Sequence, residues 1–197
     1  MKIYDISQEV FSCQVFPGDP APKKEVIKKI SEGSVSNLSA FSMCSHNGTH
    51  VDAPNHFVDN GKKIDEMGLE NFVGMAYVAE HEGMVTAEDA TAIIERARKA
   101  DVDCAKIILI KGEIEVIDEA AAVFAGAGLK LIGVESQTIG PEDGRYEVHR
   151  ILLGAEVVIL EGIRLGAVKE GKYFLSAAPI NLGGCEGAPC RAVLVDL

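Results

Sequence analysis

The chain has 197 residues, of which 47% are hydrophobic and 25% charged, the balance of an ordinary globular protein. This length favours a single domain, residues 1–197, with a sizeable core. The formal net charge of −11 argues against nucleic acids and anionic membranes as partners, because both attract basic surfaces.

Hydrophobic alternation and turn residues predict the first elements of the chain. Strands are expected at 2–7 and 13–15, and the turn Pro17-Gly18-Asp19-Pro20 ends the second. Residues 24–30 have the pattern of an edge strand with lysines on its open side. Residues 37–44 lead into a histidine-rich segment, and a short helix is expected at 65–72.

Residues 46–56 contain three of the chain's five histidines together with an aspartate. Even positions of this segment carry His46, His50, Asp52 and His56. In an extended strand these side chains would share one face. A straight strand would separate the outer two by roughly 33 Å at about 3.3 Å per residue, so a bend at Gly48 and Pro54 is required. Imidazole and carboxylate groups bind zinc, manganese and iron, so the segment predicts a metal site.

Two other interpretations of this segment remain open. One is a helix with His46 and His50 one turn apart, and the other is a polar loop that contains histidines by chance. Gly48 and Pro54 oppose the helix, because glycine and proline are the poorest helix formers. Three histidines within eleven residues oppose chance. The metal site is therefore the favoured interpretation.

The second half of the chain alternates strands and helices. Thr86 and Asp89 predict a capping box for a helix that ends near Lys99, and further helices are expected at 118–126 and 146–153. Strands are expected at 74–80, 106–110, 129–134, 157–160, 173–177 and 191–195. The sequence therefore predicts an α/β fold, a single mixed-sheet domain that is parallel in its centre and has an antiparallel or barrel-like β portion.

The five cysteines are odd in number and include no Cys-x-x-Cys pair. Because the first residues do not have the pattern of a signal peptide, we expect reduced thiols and a cytoplasmic location. No run of about 18 apolar residues occurs, so no membrane-spanning helix is expected. Cys44 shares strand parity with His46 and could approach a metal, but a buried core thiol is the favoured interpretation.

The pattern His46-x-Gly-Thr-His50-x-Asp52-Ala-Pro-x-His56 resembles the signature of the cyclase family of metal-dependent hydrolases, which includes bacterial kynurenine formamidase and isatin hydrolase. Weaker likenesses follow in the family's order, namely Tyr4-Asp5-Ile6-Ser7, Phe16-Pro17-Gly18-Asp19, His149 with Glu161 twelve residues later, and the segment 184–193. The resemblance implies a swivelling β/β/α fold and a hydrolase that opens an amide, formamide or cyclic amide or ester bond through a metal-activated water. It also implies a small-molecule substrate and a homodimer or homotetramer.

The same resemblance implies roles for individual residues. His46 and His50 would bind one divalent metal ion, His149 would bind a second, Asp52 would bridge both, and Glu161 would contact the pair. Zinc is the first choice, with manganese or iron as alternatives. The implied role of His56 is catalytic, as a general acid and base. A role for this imidazole as a ligand or as a supporting hydrogen-bond partner stays open.

The chain departs from the family pattern at the substrate pocket. Phe16 occupies the place of a tryptophan that packs on the substrate ring of kynurenine formamidases, and the chain has no tryptophan. Phe16 is therefore the expected substrate-binding residue, with a smaller apolar face. Residues 135–140 stand where the family shows Asp-x-x-Ser-x-Asp, and Gly140 lacks the last carboxylate. Both departures argue against kynurenine specificity and leave the metal chemistry intact.

The leading function is therefore hydrolysis of a carbon–nitrogen bond other than a peptide bond. The alternatives are a metal-dependent cyclase or dehydratase, a metal- or ligand-binding protein without turnover, and a structural zinc domain. A proton-transferring His56 argues against a binding protein, which has no need of one. Structural zinc sites are closed and usually rich in cysteine, whereas nitrogen and oxygen ligands dominate here.

Overall fold

The computed structural model describes residues 1–141 and 145–197. Its α-helices are Ala87–Ala100 (α1), Asp118–Gly126 (α2) and Glu147–Gly154 (α3). Its strands are Lys2–Asp5 (β1), Lys23–Lys28 (β2), Leu38–Ser42 (β3), His50–Asp52 (β4), Val73–Glu80 (β5), Gly83–Val85 (β6), Ile107–Lys111 (β7), Ile114–Val116 (β8), Leu131–Val134 (β9), Val158–Glu161 (β10), Gly171–Ser176 (β11), Gly187–Pro189 (β12) and Val193–Asp196 (β13). None of the helices in these two ranges is both long and apolar enough to cross a membrane.

Nine strands form one sheet in the order β1-β13-β11-β5-β7-β9-β10-β4-β12. The four central strands, β5, β7, β9 and β10, are parallel to one another, and every other pair in the sheet is antiparallel. The outer strands β1 and β12 do not pair with each other, so the sheet is an open half-barrel. The predicted mixed sheet with a parallel centre is therefore confirmed.

The central strands are buried on both faces, as parallel strands covered by helices usually are. Ile108, Ile110 and Ile132 belong to a core that contains the three helices, whereas Leu109 and Leu131 belong to a second core on the opposite face. This alternation follows from the two-residue period of a strand. It explains why apolar runs such as residues 107–110 predicted buried strands.

Hydrogen bonds at the first turn of α1 explain why the start of this helix could be predicted from the sequence. Thr86 Oγ1 accepts a hydrogen bond from the Asp89 amide at 3.2 Å, and Asp89 Oδ2 accepts one from the Thr86 amide at 2.9 Å. This reciprocal pair confirms the predicted capping box. The buried face of α1 consists of Ala90, Ile93, Ile94 and Ala97, at the expected helical spacing.

Two of the predicted elements are wrong. Residues 13–15 do not form a strand, because a short 3-10 turn at Val10–Ser12 precedes them and Glu9 caps that turn by accepting from the Phe11 and Ser12 amides. Residues 65–72 do not form one helix but two 3-10 turns, Ile64–Glu66 and Leu69–Asn71, with Gly68 between them. Glycine is a poor helix former, and the segment is too short for packing to overcome that cost.

Strands β2 and β3 form a separate two-stranded ribbon in which every residue is exposed. Their pairing places Lys24 opposite Phe41 and Val26 opposite Ser39. A second short pair, β6 with β8, is parallel. Strand β6 follows β5 directly in the chain, and β8 follows β7. Because side chains on both faces of the ribbon are exposed, neither face is covered by another layer of the described residues.

Candidate metal centre

Strand β4 positions the centre of the histidine-rich segment. The chain turns at Gly48, whose φ of +69° is in the left-handed region that favours glycine, and a 3-10 turn begins at Pro54. Between these bends only His50–Asp52 is extended, so the predicted kinked segment is confirmed. Strand β4 pairs with β10 in a register that sets His50 opposite Glu161.

Five side chains converge into two overlapping groups with the geometry of metal sites. One group is His46, His50 and Asp52, and the other is Asp52, His149 and Glu161. In each group, one potential ligand atom per residue lies within 4.8 Å of the others. Asp52 belongs to both groups, which is the arrangement a bridging carboxylate requires, since it has two oxygens.

In the first group, both histidines have a ring nitrogen within 3.5 Å of one Asp52 carboxylate oxygen. His46 Nδ1 lies 2.9 Å from Asp52 Oδ1, and His50 Nε2 lies 3.5 Å from the same oxygen. His50 Nδ1 donates to the Gly48 carbonyl at 3.0 Å. That bond leaves the Nε2 lone pair of His50 directed at the carboxylates, as a metal-binding imidazole needs.

Helix α3 and strand β10 build the second group. His149 is buried on the first turns of α3, and its Nε2 lies 3.2 Å from Glu161 Oε1. The same carboxylate oxygen accepts from the Ile139 amide at 2.9 Å, and Glu161 Oε2 lies 3.4 Å from His50 Nε2. The Glu161 carboxylate therefore lies next to His50 of the first ligand group and His149 of the second, and the Ile139 amide fixes its orientation.

For each of these groups, burial and the neighbouring opposite charge shift the pKa in opposite directions. Burial alone would lower the pKa of His46, but the Asp52 carboxylate outweighs it and raises that pKa to about 9. Burial would raise the pKa of Asp52, but His46 outweighs it and holds that pKa well below its usual range. For His149, Glu161 likewise outweighs burial and raises the pKa. The site is thus a cluster of paired imidazoles and carboxylates.

Three buried atoms of the site have no hydrogen-bond partner among the described residues. They are His50 Nε2, Asp52 Oδ2 and His149 Nδ1. Buried polar atoms are rarely left unpaired, because burial without a partner costs about 1–3 kcal/mol. Two imidazole nitrogens and a carboxylate oxygen form a donor set that fits a divalent cation such as zinc.

His56 lies beside the two groups and belongs to neither. Its ring stacks on His46, with centroids 4.0 Å apart and planes inclined by 22°. Burial lowers the pKa of His56, and this outweighs the opposing effect of Asp52. The imidazole therefore lies beside the ligand cluster, and its role as a general acid and base stays a prediction.

A cavity of about 180 Å³ opens onto the cluster. Phe16, Phe57 and Tyr146 give it an aromatic wall, and Gln137 and Thr138 give it uncharged polar atoms. Phe57 and Tyr146 pack with ring centroids 5.3 Å apart. Phe16 thus lines the cavity, and its predicted role in substrate binding stays a prediction. Gly140 does not line the cavity, although the sequence interpretation connected it with the pocket.

Several residues of the site were not predicted as site residues from the sequence, although Glu186 lies in the segment 184–193 that resembles the family. Glu186, which precedes β12, approaches His46 Nε2 at 3.2 Å through Oε1 and accepts from the Ser45 hydroxyl at 2.5 Å. Phe57 and Tyr146 reach the cavity through tertiary packing rather than through spacing. Cys44 is only partly buried, and its thiol lies 3.8 Å from Asp19 Oδ2, so the prediction of a buried core thiol is wrong. It belongs to neither metal group.

Comparison with known proteins identifies the family. The family described as "Putative cyclase" matches residues 4–141. A kynurenine formamidase from Salinibacter ruber is 31% identical over 212 residues, which cover 100% of this chain and 98% of that protein. A solved structure described as a potential metal-dependent hydrolase with cyclase activity has a TM-score of 0.81 at 28% identity, and the match covers 98% of this chain and 96% of the other.

Isatin hydrolase A from Ralstonia solanacearum shares the fold, with a TM-score of 0.83 at 22% identity over 99% of this chain and 92% of the other. These structural matches confirm the fold class that the sequence resemblance implied. The family match covers well over half of the chain, and the formamidase match covers all of it. On these grounds the chain belongs to the "Putative cyclase" family.

Proposed function

We propose that this protein is a metal-dependent hydrolase that cleaves a carbon–nitrogen bond outside peptides, in an amide, a formamide or a cyclic amide. The observation that carries this proposal is the pair of ligand groups that share Asp52 at the end of an aromatic-walled cavity. The similarity to a kynurenine formamidase over the full chain supports the same class of reaction. The fold shared with an isatin hydrolase is consistent with it.

The ligand set suits two divalent ions, with zinc as the first choice and manganese or iron as alternatives. His46 and His50 would hold one ion, His149 the other, and Asp52 and Glu161 would contact both. When bound, such ions supply Lewis acidity that polarises a carbonyl oxygen and lowers the pKa of a water molecule. The unpaired buried atoms His50 Nε2, Asp52 Oδ2 and His149 Nδ1 support this assignment.

The chain's own residues would orient and protonate the reactants. The Gly48 carbonyl and the Ile139 amide hold His50 and Glu161 in fixed orientations, so little reorganisation accompanies the reaction. His56 would accept a proton from the attacking water and donate one to the leaving nitrogen, a role for which imidazole is suited near neutral pH. Phe16 and Phe57 would pack against the substrate and exclude bulk water.

We propose a substrate other than N-formylkynurenine. The absence of any tryptophan and the modest cavity of about 180 Å³ support a smaller ligand than that molecule. Phe16 can supply an apolar contact, but its ring is smaller than the indole at the same place in kynurenine formamidases.

The direct test is a panel of formyl anilides, lactams, imides and lactones assayed with protein reconstituted with zinc, manganese or iron(II). We expect metal-dependent turnover of at least one nitrogen-containing class, abolished by a chelator and restored by metal. Turnover that persists after the chelator, or binding of these compounds without any turnover, would contradict the proposal. The second outcome would favour the non-catalytic binding protein, and ring closure or dehydration would favour the cyclase alternative.

We further propose a homodimer or homotetramer in the cytoplasm. Seven of the fourteen exposed large hydrophobic side chains in the described residues lie between residues 11 and 41, around the β2–β3 ribbon. The ribbon carries three lysines, Lys23, Lys24 and Lys28, and Lys29 follows directly, whereas the whole chain has a net charge of −11. A second copy of this acidic chain is therefore a complementary partner for the ribbon.

The five free cysteines support a reducing compartment, as the proposed cytoplasmic location requires.

A further inference from the structure

Gln137 and Thr138 line the cavity, and each has a buried polar atom that neither metal group uses. Each residue is only 7% exposed and lines the cavity. Gln137 Oε1 and Thr138 Oγ1 have no hydrogen-bond partner within the described residues. Because an unpaired buried polar atom costs free energy, such atoms in a binding cavity indicate a ligand that pairs with them.

The Gly48 carbonyl determines which end of the Gln137 amide remains free. Gln137 Nε2 donates to this carbonyl oxygen at 3.1 Å, and His50 Nδ1 donates to the same oxygen at 3.0 Å. A carbonyl oxygen only accepts, so the NH₂ end of the glutamine amide must face Gly48. The opposite end, Oε1, is therefore a fixed acceptor with unused capacity.

Two neighbouring polar groups at the cavity differ from the Gln137 oxygen. Glu161 Oε1 accepts from the Ile139 amide and contacts His149. The Thr138 hydroxyl can both donate and accept, so it can pair with either an N–H group or an oxygen of a ligand. The Gln137 oxygen can only accept, and only a donor on the ligand satisfies it.

We propose that Gln137 Oε1 accepts a hydrogen bond from the N–H of the substrate, so that the protein selects amides whose nitrogen carries a hydrogen over esters and lactones of the same shape. This inference rests on the proposed hydrolase function and narrows its substrate class to formyl anilides, lactams, imides and similar N–H compounds. An ester presents an oxygen lone pair where the amide presents its N–H. Binding the ester leaves Gln137 Oε1 buried and unpaired.

A volume-conserving variant removes the acceptor with little change in packing. Gln137→Met keeps an unbranched side chain of similar size and removes both polar atoms of the amide. Gln8→Met is the matched control, because Gln8 Nε2 donates to the Gly162 carbonyl at 2.9 Å and Gln8 Oε1 already accepts from the Gln14 amide at 3.0 Å. Gln8 thus has the same chemistry without a free acceptor, and it does not line the cavity.

The rate measurement compares formanilide with phenyl formate, which differ by an N–H in place of an oxygen. For the zinc-loaded wild type, Gln137→Met and Gln8→Met, kcat/KM is measured for both compounds. We expect Gln137→Met to lower kcat/KM for formanilide about 10- to 100-fold relative to phenyl formate, and Gln8→Met to leave the ratio unchanged. The ester serves as the internal check that the metal site still functions. An unchanged ratio in Gln137→Met would overturn the proposal.

A binding measurement separates this proposal from the hydrolase function itself. Calorimetry on the same three zinc-loaded proteins compares formanilide with N-methylformanilide, which has no N–H. A preference for formanilide in the wild type that disappears in Gln137→Met supports the proposal, even if no compound is hydrolysed and the proposed function fails. Equal affinities in the wild type, or no binding of either compound, would overturn it. Loss of zinc from Gln137→Met by elemental analysis would also overturn it, because Gln137 would then be a metal ligand.

Discussion

Replacing Asp52 by asparagine tests whether one carboxylate holds both halves of the proposed metal site. Asp52 is buried, belongs to both ligand groups and has one oxygen that is unpaired among the described residues. Asparagine keeps the shape and can still accept from His46 Nδ1, so the fold should survive. It removes the negative charge and replaces the second oxygen by an NH₂ group that cannot bind a cation.

The expected magnitude follows from how the ligands are distributed along the chain. His46, His50 and Asp52 lie about a hundred residues before His149 and Glu161, so the unfolded chain does not hold the ligands together. Metal should therefore bind mainly the folded state, and at a hundred times its Kd it should stabilise that state by about 2.7 kcal/mol. For a protein of this length that corresponds to a rise in Tm of about 5–11 °C.

Thermal unfolding of chelator-treated protein with and without added zinc measures this effect. We expect the full rise in Tm for the wild type and a rise below about 1 °C for Asp52→Asn. Asp19→Asn is the matched control, because Asp19 lines the same cavity but belongs to neither ligand group. A zinc-dependent rise in Asp52→Asn equal to that of the wild type would refute the bridging role.

Three other substitutions test the remaining assignments. His56→Gln should retain the metal by elemental analysis and lose about 10²- to 10⁴-fold in kcat, the usual contribution of a general acid and base; metal loss would instead make His56 a ligand. Phe16→Trp should raise kcat/KM for N-formylkynurenine by up to about tenfold, because an added aromatic contact is worth about 0.5–1.5 kcal/mol; no gain would show that Phe16 does not contact the substrate. Phe41→Ser, on the exposed ribbon, should shift sedimentation towards the monomer; an unchanged oligomer would place the interface elsewhere.

The sequence predicted those parts of the site that depend on local spacing. Alternating ligands and a bend at Gly48 were enough to place His50 and Asp52 on one side of a short strand. The capping box at Thr86 fixed the start of α1 for the same reason, since its hydrogen bonds join residues three apart. The second half-site depended on the family resemblance, because nothing local connects His149 with β4.

What the sequence could not predict depends on tertiary contacts between distant segments. Glu186 reaches His46 because β12 pairs with β4, a pairing of segments more than a hundred residues apart. The absence of a strand at 13–15 has a local origin instead, since the Glu9 side chain accepts from the Phe11 and Ser12 amides and caps a turn that competes with extension. Short apolar stretches have no strong preference of their own, and their surroundings decide their structure.

Residues 137–140 show how substrate recognition and metal geometry depend on one loop. Gly140, which the sequence interpretation treated as a missing pocket carboxylate, instead packs against α3. A Cβ at this position would lie 3.0 Å from Val148 Cβ. Val148 precedes His149, so a larger residue at 140 would push α3 and displace that imidazole from Glu161.

Within the same loop, Gln137 lines the cavity and has an unpaired amide oxygen, while the Ile139 amide holds the Glu161 carboxylate. Metal–ligand distances tolerate displacements of only about 0.2 Å. A change of substrate specificity made at Gln137 or Thr138 must therefore preserve the Ile139 hydrogen bond and the close approach of α3 at Gly140.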